Sequence, residues 1–67
     1  MNFKKVIARL PDSPGAYIYE NADGKIIYVG KSKSIKKRVL SYFQNKNLGP
    51  KTNLLVKKIA DIKYIKV

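Results

Sequence analysis

Apolar residues change their spacing along this chain, and each change marks an element. Over residues 4–10, Val6, Ile7 and Leu10 fall on one side of a helical turn while Lys4, Lys5 and Arg9 lie elsewhere, which predicts a short helix. Pro11 ends it, because a proline disfavours helical backbone at the residue before it. Asp12, Ser13, Pro14 and Gly15 read as a turn, and a strand is expected from Ala16. Two short runs, 15–19 and 26–30, are rich in Tyr, Ile and Val and are joined by Asn21, Ala22, Asp23 and Gly24. Strand-forming residues around an Asp-Gly step predict a β-hairpin.

The loop length decides which residues of the hairpin face each other. A two-residue loop places Tyr19 opposite Tyr28 and Tyr17 opposite Gly30, whereas a four-residue loop places Tyr17 opposite Tyr28. In both cases Tyr17, Tyr19 and Tyr28 share a face, since paired residues point to the same side. A three-residue loop with a bulge at Gly24 would break that parity.

Helical spacing returns over residues 34–44, with Ser32 or Ser34 as the N-cap and Ile35, Val39, Tyr42 and Phe43 as the buried stripe. Arg38 stands one turn before Tyr42 at the border of that stripe and can reach the sheet, while Lys36 and Lys37 point away. Residues 45–49 are a loop. Pro50 opens a third helix, expected to run to residue 60 with Leu55, Val56 and Ile59 inward. Residues 62–67 alternate again as a further strand, and the chain stops at Val67 with no turn or cap, an abrupt end for a domain. The fold class is therefore α+β: one domain over residues 1–67, a small antiparallel sheet of hairpin plus C-terminal strand, flanked by helices.

Sixty-seven residues form a thin core at most. The chain has neither cysteine nor histidine, which excludes disulfides and Cys/His zinc sites. It has no apolar run of membrane-spanning length and no signal-peptide pattern, so a cytoplasmic protein without a membrane partner is expected. Fifteen Lys and Arg against four Asp and Glu give a net charge of +11. Those basic residues are grouped, which is the footprint of a nucleic-acid binder rather than of a merely soluble surface. Binding of that kind should weaken steeply with salt as counterions are released.

The candidate chemistry lies where the tyrosine face meets the basic helix. Phosphodiester cleavage requires stabilisation of developing negative charge and a base to activate water. Arg38 and Lys31 are suitable clamps, and Lys31 just before a helix start adds the positive end of a backbone dipole. Nearby cations favour a phenolate and are expected to lower a tyrosine pKa from about 10. The plainer account, that the tyrosines are half-buried sheet residues, weighs about equally on these grounds. Gly30-Lys31-Ser32 resembles the end of a phosphate-binding loop, but that loop needs a glycine where Lys25 stands. Asp12, Glu20, Asp23 and Asp61 each sit in or beside a turn, so a catalytic carboxylate pair is excluded.

Gly15-Ala16-Tyr17 followed by Tyr28-Val29-Gly30 resembles the signature of the GIY-YIG nucleases. The run from Lys31 through Phe43, with Ile59-Ala60-Asp61-Ile62, is similar more narrowly to their UvrC branch, which serves nucleotide excision repair. The resemblance implies a DNA-repair endonuclease that incises damaged double-stranded DNA 3′ to a lesion marked by UvrB, using a divalent metal (Mg2+ or Mn2+) and a nucleophilic water. It implies catalytic roles for Tyr17, Tyr28, Lys31, Arg38 and Tyr42, with Tyr28 as the water-activating base. DNA contacts are expected from Lys31, Lys33, Lys36, Lys37 and Arg38, and close backbone approach at Gly15 and Gly30. The family's metal-binding glutamate would lie past Val67, so no metal ligand is expected in this chain. The 67 residues alone are then expected to be inactive, with an apolar sheet face exposed. Two other readings stand beside this one: another GIY-YIG endonuclease, or a non-catalytic basic module for DNA or ribosomal RNA whose tyrosines stack on bases.

Overall fold

A computed structural model of the chain describes residues 3–44 and 48–67. Six elements follow in the order α1 (Phe3–Ala8), β1 (Gly15–Glu20), β2 (Ile26–Ser32), α2 (Ile35–Gln44), α3 (Pro50–Lys58) and β3 (Asp61–Lys66). The strands form one antiparallel sheet in the order β2-β1-β3, so the tyrosine-bearing β1 is central. The expected α+β architecture is therefore present. Part of the loop expected over residues 45–49 lies outside the described residues.

Element ends differ from expectation for local reasons. The first helix stops at Ala8, and the Arg9 and Leu10 amides turn back to the carbonyls of Val6 and Ile7, tightening the chain before Pro11. The third helix stops at Lys58 because the Ala60 amide already donates to the Glu20 carbonyl at 2.8 Å, drawing the chain into the sheet. Ser34 is the N-cap of α2: its Oγ accepts the Lys37 amide at 3.2 Å, and its hydroxyl donates to the Asp12 carboxylate. The carbonyls of Ser13 and Pro11 take the next two free amides, those of Ile35 and Lys36. The turn before β1 thus holds the start of α2 against the sheet.

The hairpin register combines two of the possibilities open to the sequence. At the tip, Asn21 pairs with Lys25 around Ala22, Asp23 and Gly24, a three-residue loop with Gly24 at φ 77°. The Asn21 side-chain oxygen accepts the amides of Asp23 and Lys25, which fixes the turn. A shift between Tyr19 and Glu20 then leaves Ile27 as an extra residue, and the ladder resumes with Tyr19 opposite Tyr28 and Tyr17 opposite Gly30. The irregularity at Ile27 restores the parity that a three-residue loop alone would have broken.

One face of the sheet carries Gly15, Tyr17, Tyr19, Tyr28, Gly30, Ile62 and Tyr64 by pairing. The core lies on that face: Ile7, Leu10, Tyr17, Tyr19, Ile35, Val39, Ile59 and Ile62 are buried. Phe3 of α1 stacks on Phe43 of α2 at 4.6 Å between ring centres. Gly15 is required where β1 passes β3 and α2, because a Cβ there would come within 2.2 Å of the Ile65 carbonyl oxygen and 2.7 Å of the Ile35 side chain.

Candidate functional site

Four tyrosines gather where β1, β2 and α2 meet. Tyr17 and Tyr19 lie on the central strand, Tyr28 on its neighbour, and Tyr42 reaches down from the last turns of α2, with ring centres 5.3 to 6.3 Å apart. The Tyr17 and Tyr42 hydroxyls are 3.2 Å apart. The Tyr28 ring lies 6.3 Å from that of Tyr42, and the Arg38 guanidinium is close enough to interact with the Tyr17 hydroxyl. The site therefore has two linked phenols, a third packed beside them and a cation at their edge.

Access separates the roles of these rings. Tyr17 and Tyr19 are 1% and 0% exposed, whereas Tyr28 is 40% exposed. Arg38 is exposed as well. Tyr28 and Arg38 are therefore open to contact from outside, whereas Tyr17 is reached only through them. Gly30 permits the arrangement: a Cβ there would lie 2.3 Å from both Cζ and the hydroxyl oxygen of Tyr17, whose ring crosses the neighbouring strand at that point.

The phenol acidities correct the expectation that nearby cations lower them. Burial, followed by the neighbouring hydroxyls of Tyr17 and Tyr28, pushes the Tyr42 hydroxyl above its ordinary value. Tyr19 is likewise raised, first by burial and then by its phenol neighbours; Arg38 acts in the expected sense but is outweighed. The Tyr17 hydroxyl in turn holds the Arg38 proton more firmly. Tyr42 is thus a hydrogen-bond donor across the working pH range.

The basic residues divide among three places. Lys33, Lys37 and Arg38 line a shallow groove with Ser32, Ser34 and Ser41, leading away from the tyrosines along α2. Lys36 is tied up elsewhere: its ammonium donates to the Ala8 carbonyl at 3.2 Å, at the C-terminal end of α1. Lys31 departs from expectation. It stands on β2 opposite Ala16, one residue out of phase with Gly30, so its side chain leaves the sheet on the face away from the tyrosines. The strand runs on through Ser32, and Lys31 therefore follows strand alternation instead of opening the helix.

Sequence reasoning missed Thr52 and Leu48, which the α3 side brings against Arg38 and Tyr42 in a small cavity shared with Ser41. Ser41 lies three residues beyond Arg38 on α2 and donates to its carbonyl at 2.6 Å, a helical spacing that could have marked it. Thr52 carried no such signal.

The carboxylates do not assemble a metal centre. Glu20 pairs with Lys63 at 3.1 Å, Asp12 accepts from Ser34, and Asp61 accepts the Ile62 amide at 2.8 Å. Among the described residues no group of three or more His, Cys, Asp or Glu comes together. The oxygens that do gather are phenols, so these residues alone do not fit a hard divalent cation.

Tyr19 yields a stability prediction. Its hydroxyl is buried and has no hydrogen-bond partner. Tyr19→Phe should raise stability by about 1–3 kcal/mol, the cost of an unpaired buried polar group, as read by urea unfolding. Because burial raises its pKa when folded, Tyr19 stays neutral while the unfolded phenol ionises near pH 10. Its stabilising share is thus intact below about pH 10 and is lost as pH climbs above that value. The variant's alkaline unfolding midpoint should therefore move upward.

Comparison with known proteins agrees with this geometry. Residues 13–67 match the UvrC-like GIY-YIG domain. UvrABC system protein C of Bacteroides fragilis is 55% identical over 64 residues, 96% of this chain, and that of Flavobacterium psychrophilum is 59% identical over 61 residues, 91% of it. The chain spans about 10% of the length of those relatives. The magnesium-bound GIY-YIG N-terminal endonuclease domain of UvrC from Thermotoga maritima superimposes with a TM-score of 0.79 at 31% identity, covering 96% of this chain and 68% of that one. A tyrosine-to-phenylalanine mutant of the same domain, bound to its catalytic divalent cation, gives 0.79 at 30% identity with the same coverage. With the signature tyrosines on one face and the glycine beneath them explained, the chain belongs to the UvrC-like GIY-YIG domain family.

Proposed function

We propose that this chain is the phosphate-handling part of an excision-repair endonuclease that cuts one strand of damaged duplex DNA 3′ to a lesion, within a UvrABC-type system and in the cytoplasm. The observation that carries this reading is the cluster of Tyr17, Tyr42 and Tyr28 beside Arg38, buried at Tyr17 and open to solvent at Tyr28 and Arg38. Arg38 neutralises the phosphate whose charge grows as the cut proceeds. A water oxygen attacks phosphorus, and the Tyr28 phenolate, its own proton already released to solvent, takes the water's proton and becomes a phenol. One bridging P–O bond breaks, releasing a sugar oxygen that is then protonated. Tyr42 keeps its own proton, so a hydrogen bond it gives toward the Tyr28 oxygen favours the phenolate that accepts the water's proton. The groove of Lys33, Lys37 and Arg38 holds the flanking backbone electrostatically, without reading bases.

The magnesium seen in the related domain supplies further charge stabilisation when bound. We assign its carboxylate ligand to residues beyond Val67, and the lesion-marking partner, UvrB, to contacts elsewhere in the longer protein. The 67 residues alone then bind DNA without cutting it.

Incision of a lesion-bearing duplex by the full-length protein with its partners and magnesium tests the reading. Arg38→Ala should slow incision by about 10²-fold, with duplex affinity falling far less, because one preorganised charge acts mainly on the transition state. Equal losses in affinity and rate would instead favour a binding module without chemistry of its own.

A further inference from the structure

The groove along α2 continues past Arg38. It shares Arg38 and Ser41 with the small cavity at the start of α3, which Tyr42, Leu48 and Thr52 complete. That cavity measures about 210 Å³, several times the ~30 Å³ of one water molecule. Its donors are not used up. The Arg38 guanidinium carries several N–H groups in a planar fork, and one neighbouring hydroxyl, that of Tyr17, cannot occupy them all. The Thr52 hydroxyl pairs with no other described residue. Ser41 differs, since its hydroxyl is committed to the Arg38 carbonyl at 2.6 Å. Asp12, Glu20, Asp23 and Asp61, the acids of the chain, all lie outside the cavity wall.

We propose that this cavity is a second phosphate subsite: it receives the phosphodiester next to the one being cut, and the Thr52 hydroxyl donates to a non-bridging oxygen there. The inference rests on the nuclease reading of the site and deepens it. A cation and an unpaired hydroxyl facing a pocket without carboxylates suit an anion. Arg38 can serve both phosphates, because its rigid fork donates in more than one direction. The anion is a strand phosphate because the groove that opens into the cavity is the one whose lysines lie along the backbone. A strand lying there reaches Arg38 and then the cavity without leaving the surface. Leu48 gives the cavity a carbon wall, which suits the deoxyribose between two phosphates. Contacts to phosphate fix register and orientation and carry no base information. Thr52 therefore holds the strand so that the phosphodiester to be cut lies beside Arg38 and Tyr28.

The test is incision by the full-length protein, with its partners and magnesium, of lesion-bearing duplexes carrying one neutral methylphosphonate beside the cut, on each side in turn. One of the two substitutions should slow the parent by about tenfold or more, the worth of a hydrogen bond to a charged group. Thr52→Val keeps the shape of the side chain and loses the hydroxyl, so it should slow cutting of the normal duplex by a similar factor. On the sensitive methylphosphonate duplex it should add no more than about twofold, because the two changes remove the same contact. Thr52→Ser, which keeps the hydroxyl, should cut at nearly the parental rate. Thr52→Ala, read on the same duplexes, serves if the valine variant does not fold. Parental rates for Thr52→Val on the normal duplex, or for the parent on both methylphosphonates, would overturn the proposal. So would losses that multiply, which would give the sensitive phosphate to Lys33 and Lys37 instead. Arg38→Ala separates this failure from a wider one. If it slows incision while Thr52→Val does not, the subsite falls and the nuclease reading stands; if both variants cut at the parental rate, both fall.

Discussion

Gly30→Ala should lower the thermal midpoint by about 10–20 °C, although it adds one methyl group to a strand. The Cβ would sit 2.3 Å from two atoms of the Tyr17 ring, well inside contact distance. Tyr17 has nowhere to go. It is 1% exposed, lies between β2 and α2, and is bonded to Tyr42. Overpacking of this kind costs about 1–3 kcal/mol. A domain of this size has about 3–10 kcal/mol in all, and each kcal/mol moves its midpoint by about 4–8 °C. Gly24→Ala is the control, since nothing lies within 4 Å of its would-be Cβ and only its φ of 77° opposes a side chain. Its cost should be about 1 kcal/mol. Pairing Gly30→Ala with Tyr17→Leu should cost less than the sum of the two, because the shorter side chain vacates the space the new methyl needs. Additive losses in calorimetry would mean that the glycine serves the backbone and not the ring.

Glycine at position 30 was legible as a signature; its reason was not, since it depends on a ring from another strand. The same boundary runs through the rest of the site. Alternation placed Tyr17, Tyr19 and Tyr28 on one face, and helical spacing brought Arg38 and Tyr42 toward them, because both periodicities are local. The fate of Lys31 turned on where β2 ends. Two further residues of strand put its side chain on the far face, and no local signal marks that end. Lys36 bonds to Ala8, twenty-eight positions away in sequence, a contact set by how α1 packs. The Tyr19 and Tyr42 shifts run against the expectation because proximity to charge is visible in a sequence whereas burial is not. Tyr19 and Tyr42 show that burial prevails.

Tyr28→Phe should reduce incision by the full-length protein by about 10³-fold or more, while Tyr19→Phe leaves it within a few-fold. The two residues are direct cross-strand partners on one face and differ from phenylalanine by the same oxygen atom. What separates them is access. Tyr19 is sealed and its hydroxyl bonds to nothing, so its removal relieves a cost and takes nothing from the reaction. Tyr28 is 40% exposed and its ring packs 6.3 Å from that of Tyr42. Deleting its hydroxyl removes the open phenol of the cluster beside Arg38. A positioned proton acceptor contributes about 10²–10⁴ in rate, so the loss should exceed that of Arg38→Ala. Neither change should lower duplex affinity much, since phosphate contacts lie along α2 and not on the phenols. A Tyr28→Phe protein that still cuts at more than a tenth of the parental rate would show that the proton goes elsewhere. If Tyr19→Phe proved as damaging as Tyr28→Phe, both hydroxyls would belong to the ring packing, and the open phenol would have no special part in the chemistry.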